Sequence, residues 1–255
     1  MSNCTKFNAK MWDEWSCQGV EWTRPISHEA FLAAQNGQPA LKLTPQKLLP
    51  LNWLPPRGSA ILGLASGGGQ QGPQLSAAGY RVTILDISER QLISERMVAE
   101  REGYTIGLVK ADMTAPFPFA DDAFDAVINP VSNCYIEDLA PFWREAFRVL
   151  KPSGVLMAGW TNPIVYAFDD ASLEDPHLPL TLKFALPYNG REQAEAGQPV
   201  TMDSGYQFSH TWEEQLGGQL QAGFLIKDFY EDSDDREKLS YFTALYAASL
   251  AVKPG

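Results

Sequence analysis

Two periodicities alternate along the middle of the chain. Short apolar runs of the kind that form buried parallel strands are separated by segments whose apolar residues recur every three or four positions, as on one face of a helix. The first run, Ile61 to Leu64, leads directly to Gly67, Gly68 and Gly69. A glycine turn after a buried strand lets the backbone approach a ligand that any Cβ would push away. Pro73 to Gly79 reads as a helix, with proline tolerated in its first turn and glycine closing it. Val82 to Leu85 is the next run and ends on Asp86. Ser88 followed by Gln91 is a capping-box signature for a helix that runs to about Glu102 and stops at Gly103. A third strand, Thr105 to Lys110, leads into Ala111-Asp112-Met113, and a fourth, Phe124 to Ile128, follows the loop from Phe117 to Asp122. That strand opens into Asn129-Pro130-Val131-Ser132-Asn133. Leu139, Phe142, Trp143, Ala146, Phe147 and Leu150 then keep a helical stripe, and a fifth strand spans Val155 to Trp160.

Strand and helix alternating in this way predict an α/β fold, a doubly wound, mostly parallel sheet with helices on both faces. Ligands of such sheets sit at the carboxyl ends of the strands. Gly67 to Gly69, Asp86, Asp112 and Asn129 all fall there. Their convergence is the main functional signal of the sequence.

The flanks break the pattern. Residues 1–57 are expected to form a helical cap or lid, with helices over Phe7 to Gly19, Ser27 to Asn36 and Thr44 to Leu49. They carry Trp12, Trp15, Trp22 and Trp53, four of the seven tryptophans. Residues 58–160 form the core. Residues 161–208, rich in Pro, Gly and acids and with a possible strand at Leu180 to Leu186, are too long for an ordinary loop. They are expected to be an insert over the ligand face. In residues 209–255 a capping box at Thr211 to Glu214 starts a helix to about Ala222. Gly217-Gly218 inside that helix implies close packing against something. Gly223 to Glu231 and Leu239 to Val252 read as a final strand pair with a short link, hence antiparallel, which brings the sheet to seven strands.

Charge and composition narrow the function. The net charge is −11 and the acids are dispersed, which argues against binding a phosphate backbone. No apolar run approaches the ~20 residues of a membrane span. The N-terminus lacks the apolar stretch of a signal peptide. Cys4, Cys17 and Cys134 are odd in number and lack metal-ligand spacing, as expected of reduced thiols in a cytoplasmic protein without a metal.

Among groups that carry chemistry, Gly67-x-Gly69-x-x-Gly72 fits the dinucleotide fingerprint, with Asp86 near the spacing expected for a ribose-binding acid. His28 and His210 are candidate general bases; His177 lies between prolines in an acidic stretch. Tyr135 and Trp160 sit near strand ends and suit either an acceptor pocket or core packing.

The glycine loop, Asp86, A-D-M at 111–113, F-D-A-V-I at 124–128 and R-V-L-K-P-S-G-V-L at 148–156 together resemble the class I S-adenosylmethionine (SAM) dependent methyltransferases. More narrowly, the chain resembles a bacterial group of uncharacterised small-molecule methyltransferases. That likeness rests on L-A-S-G-G-G-Q-Q at 64–71, N-P-V-S-N-C at 129–134, T-N-P at 161–163 and the S-H-T motif that begins at Ser209. The resemblance implies a Rossmann-like core, SAM as cofactor and a small-molecule acceptor methylated by in-line displacement. It implies that Ala65, Gly67 and Gly69 line the methionine and ribose, that Asp86 accepts from the ribose hydroxyls, and that Ile87 lies against the adenine. Asp112 would accept from the adenine amino group beside Met113, and Asn129 would face the methyl. Ser66, Gln70, Gln91 and Ser132 complete the implied cofactor set. Trp12, Trp15, Trp22, Asn133, Tyr135 and Trp160 are the implied acceptor residues. The wider family usually has an acid where this chain has Gly63 and a glycine where it has Ala65. Backbone carbonyls or the Gln70–Gln71 pair would then hold the amino group of SAM. Two other readings stand beside this one: a SAM-binding protein without catalysis, and a nicotinamide-dependent oxidoreductase.

Overall fold

Alternate residues of each central strand point to opposite faces, and both faces are covered. Ile61, Ile84, Ala126, Ile128 and Met157 meet one helical layer through Leu75 and Leu92. Leu62, Val127, Leu156 and Ala158 meet the other through Leu139, Phe142, Trp143 and Ala146. A sheet buried on both sides accounts for strands that read as unbroken apolar runs.

The structure, a computed structural model, describes residues 2–175 and 177–255. Met1 and Pro176, which fall in the predicted cap and insert, lie outside the described residues. In chain order the elements are α1 (Asn3–Gln18), α2 (His28–Gln35), β1 (Ala60–Leu64), α3 (Gln71–Ala77), β2 (Arg81–Asp86), α4 (Glu89–Glu102), β3 (Gly107–Lys110) and β4 (Phe124–Asn129). There follow α5 (Leu139–Val149), β5 (Leu150–Thr161), α6 (Asp170–Glu174), α7 (Gly190–Glu195), α8 (Gly218–Gln221), β6 (Leu225–Asp232) and β7 (Tyr246–Val252). The seven strands form one sheet in the order β3-β2-β1-β4-β5-β7-β6. The first five are parallel, and β7 pairs antiparallel with both β5 and β6. The order reverses between β1 and β4, which is where a doubly wound sheet opens a crevice for ligand.

Local signals act as read. Ser88 Oγ accepts the Gln91 N–H at 3.1 Å, and Gly103 closes α4 in the left-handed conformation at φ 74°. The second capping box is reciprocal: Thr211 Oγ1 accepts from Glu214 N at 3.1 Å and Glu214 Oε2 accepts from Thr211 N at 2.8 Å. The helix after it begins as a wide turn, Glu213–Gly217, before α8. A Cβ on Gly218 would stand 2.6 Å from the Trp143 ring, so the close packing implied by the glycine pair is against α5.

Three expectations need correction. Thr44 to Leu49 is a bend closed by a single antiparallel bridge between Lys42 and Leu48. Its Gln46 and Lys47 N–H groups both donate to Asp232 Oδ2 at 2.9 Å, so a carboxylate from β6 fixes the bend. Leu180 to Leu186 forms no strand, only a bridge between Phe168 and Leu182; prolines at 179 and 187 bound a short, largely exposed stretch. Leu239 to Val252 is a strand only from Tyr246, because Lys238–Tyr241 wind into a 3₁₀ turn. The link between β6 and β7 is therefore longer than expected.

Candidate active site

The glycine loop after β1 is held from below by α4. Gly67 N donates to Asp86 Oδ2 at 3.0 Å, and Gly69 N donates to Glu95 Oε1 at 2.8 Å. Gly68 N donates to the Gln91 carbonyl at 3.0 Å. Gly68 and Gly69 lie at φ 96° and 76°, where side chains are strained. A Cβ on Gly67 would stand 2.8 Å from Asp86 Oδ2. Ala65, where the wider family has glycine, is itself held at φ 45°. A Cβ on Gly63 would overlap the Ser66 hydroxyl and lie 2.6 Å from Ile84 Cδ1, so this loop leaves no room for the acid found there elsewhere.

Two buried carboxyls stand behind this loop. Asp86 accepts from Gly67 N and from Ser88 N, the latter at 2.9 Å. Burial nevertheless pushes its pKa up to about 6, against the opposing pull of the Ser88, Gly67 and Ile87 N–H groups. Burial pushes Glu95 further, to about 8, with the Asp86 charge adding to the rise and the Gly69 N–H opposing it. Glu95 went unnoticed in the sequence reading. Its position four residues after Gln91, on the inward stripe of α4 with Leu92 and Val98, was the available signal, since an acid on a buried face needs a purpose.

Two adjoining cavities open over the carboxyl edge. The smaller, of about 70 Å³, is walled by Asp86, Ile87, Asp112, Met113 and Ser132, with Thr5 and Asn8 of α1 across from them. The larger, of about 510 Å³, is walled by Ser66, Gly67 and Gln70 on one side and by Trp15, Trp22 and Tyr166 on others. Trp12, Ala65, Gln91, Val131 and Tyr135 face both. The Trp12 and Tyr135 rings meet edge to face with centroids 5.7 Å apart. Asp112 Oδ2 and Gln91 Oε1 are buried acceptors with no protein partner. Such atoms suit a ligand that brings N–H or O–H groups.

Several predicted residues stand elsewhere. Gly69 packs against Pro25 and Val98 and lines neither cavity. Asn129 is wholly buried; its amide nitrogen donates to the Leu64 carbonyl and to Ser132 Oγ, at 3.1 and 2.8 Å. It thus ties the ends of β1 and β4 together behind the cavities. Asn133 Nδ2 donates to Gln215 Oε1 at 2.7 Å, and Trp160 is enclosed in the core. His28 is outside, paired with Glu102 at 2.7 Å. His210 is buried beside the Asn133 carbonyl, 3.2 Å away, and burial lowers its pKa. None of these five faces a cavity. The glutamine pair acts as a strap. Gln70 Nε2 donates to the Glu21 and Arg24 carbonyls, and the Gln71 side chain bonds both the N–H and the carbonyl of Lys42. Lys42, Thr44, Tyr166 and Tyr246 enter the larger cavity's wall unforeseen. They come from irregular segments or from a strand end, where no periodicity marks a side chain's direction.

The same architecture occurs in solved structures. A candidate SAM-dependent methyltransferase of Listeria monocytogenes superposes with a TM-score of 0.62 at 16% identity, over 80% of this chain and 94% of that one. A SAM-dependent methyltransferase from Mesorhizobium loti gives 0.59 at 20% identity, over 79% and 94%. Residues 62–158 match the family model described as a methyltransferase domain. Over 99% of its length the chain is 40% identical to the uncharacterized methyltransferase YbaJ of Bacillus subtilis, 100% of which is covered. The chain belongs to the class I SAM-dependent methyltransferases. The dinucleotide reading of its glycine spacing is thereby set aside, and SAM is the cofactor of this methyltransferase. The ubiquinone/menaquinone biosynthesis C-methyltransferase UbiE of Paracoccus denitrificans is 35% identical to it over 112 residues, 42% of this chain and 44% of UbiE.

Proposed function

We propose that this methyltransferase holds the adenosine of SAM in the smaller cavity and methylates a small-molecule acceptor in the larger one. The observation that carries the reading is the pair of cavities joined at Ala65, Trp12 and Tyr135, one shaped by acids and one by aromatic rings. SAM bound there would supply a sulfonium-activated methyl for an acceptor lone pair, the electrons of the carbon–sulfur bond staying on sulfur. Asp86 would accept from the ribose hydroxyls and the unpartnered Asp112 Oδ2 from the adenine amino group, with Ile87 and Met113 against the ring. Ser66, Gly67, Gln70, Gln91 and Ser132 would complete the donor site. Alignment of donor and acceptor is the protein's main task and can supply roughly 7–11 kcal/mol.

An acceptor that must lose a proton finds no histidine here. Tyr246, on the cavity wall, donates its hydroxyl hydrogen to Glu237 Oε1 at 2.7 Å. It would take the proton and pass its own to that carboxylate. The concave chamber and the charge of −11 favour a small molecule over a nucleic acid. No helix among the described residues is long and apolar enough to cross a membrane, and all three cysteines are free thiols, which supports a reducing, cytoplasmic setting.

The test is incubation of the purified protein with methyl-labelled SAM and a broad metabolite mixture, with binding followed in parallel by calorimetry. A labelled small molecule is expected. Binding of NAD in place of SAM, or label on nucleic acid alone, overturns the reading.

A further inference from the structure

The walls of the larger cavity reverse the charge balance of the chain. The protein has 31 acidic against 20 basic residues. Yet the charged residues on this cavity's wall are Lys42, Arg24 and Glu21, and the Glu21 carboxylate is already engaged by Arg236 at 3.3 Å. We infer that the methyl acceptor is an anion, a carboxylate carried on a flat unsaturated body, and that Lys42 is the residue that takes its charge. This rests on the reading of the larger cavity as the acceptor chamber.

Lys42 is built into its place. The Gln71 side chain accepts from its N–H at 3.4 Å and donates to its carbonyl at 2.9 Å. The next carbonyl, of Leu43, accepts from Val131 N at 3.0 Å. The residue is thus clamped between the first turn of α3 and the segment after β4. Its half-buried ammonium donates to the Pro45 carbonyl at 2.9 Å, and among the described residues it forms no ion pair. An ammonium has three hydrogens to donate, and a partly desolvated one gains most from an anionic partner.

The donor adds to the imbalance. SAM brings a sulfonium and an ammonium against one carboxylate, so its arrival makes the chamber more positive. A protonated amine acceptor would meet like charges there and has no lone pair to offer. A carboxylate-bearing acceptor offsets the charge, and Trp15, Trp22, Tyr166 and Tyr246 offer faces for a flat body. The competing partner for Lys42 is the carboxylate of SAM itself, and the experiment separates the two.

A bacterial small-molecule extract is split on a strong anion exchanger into retained and flow-through fractions. Each is incubated with the protein and methyl-deuterated SAM, and products are read by mass spectrometry. Label is expected in a product of the retained fraction. Lys42→Met should lower its formation by about tenfold or more, with the melting temperature and the calorimetric SAM affinity held within about twofold of wild type for the latter. Lys42→Arg should restore much of the loss. Label arising only from the flow-through overturns the anionic acceptor. A tenfold loss of SAM affinity in Lys42→Met overturns the role of Lys42 and assigns it to the donor. SAM binding with no label from either fraction instead removes the small-molecule reading on which the inference stands.

Discussion

At the scale of single residues, Asp86 has conflicting demands. It must be ionised to accept from a diol while already accepting two backbone N–H bonds, and burial holds its pKa near 6. Loss of a charge-assisted hydrogen-bond acceptor costs about 1.5–3 kcal/mol, so Asp86→Ala should weaken SAM binding by about ten- to over a hundred-fold. Wild-type affinity should be flat above about pH 6. Below it, only the shrinking ionised fraction accepts from both hydroxyls, and affinity should drop by up to about tenfold per pH unit. Calorimetry between pH 5 and pH 8, at roughly unit steps across that range, checks both; an Asp86→Ala protein that binds as wild type does would mean the ribose is held elsewhere. Asp86 was legible in the sequence because it ends an apolar run. Lys42 was not, since it owes its importance to a partner distant in sequence, Gln71, and Tyr246 was not, since its partner Glu237 lies across an irregular link.

At the scale of elements, α1 contributes to the walls of both cavities. Trp12 faces both, and Thr5 and Asn8 face the smaller one. The helix is moored at two positions in its middle turns. Asp13 Oδ1 accepts from Ser88 Oγ at 2.6 Å and from Arg90 N at 3.1 Å, and Asn8 exchanges two hydrogen bonds with the backbone of Tyr206. Beside these polar moorings Met11 is fully buried, so local opening of the helix must expose that side chain as well as break these bonds. We expect SAM to slow amide exchange in residues 7–30 and to shift tryptophan emission, and Trp12→Ala to lower turnover more than thermal stability. Unchanged exchange at saturating SAM together with full activity in the variant would make α1 a fixed cap. The helix itself was readable from Phe7, Met11 and Trp15 at four-residue spacing, and the parallel strands from their apolar runs. The bend at 44–49 was misread because its backbone donors go to Asp232, some 185 residues away in sequence, which no local pattern encodes.

At the scale of the whole molecule, Glu95 links the donor loop to global stability. Its folded-state pKa near 8 lies above the ordinary value of 4.5, so the native state holds a proton that the unfolded chain releases. The sign follows from linkage: this contribution is fully present below about pH 4.5 and is lost as pH rises toward 8. One proton corresponds to a slope of at most about 1.4 kcal/mol per pH unit. Glu95→Gln keeps an oxygen for Gly69 N and has no proton to lose. Urea titrations should show the variant gaining on wild type from pH 6 to pH 8, with the gap narrowing toward pH 5, near the ordinary carboxylate range; parallel curves would mean that Glu95 is ionised in the native state. A different consequence follows from the position of β7 between β5 and β6. A chain leaving the ribosome completes β6 before the strand that joins it to the sheet exists. β6 must therefore wait, unpaired, and its exposed Leu225 and Phe229 wait with it. Only when Tyr246–Val252 slides into the gap does the edge close, so the strand synthesised after β6 is the one that joins it to the sheet, and a nascent chain stalled before β7 presents an open, partly apolar strand to its neighbours.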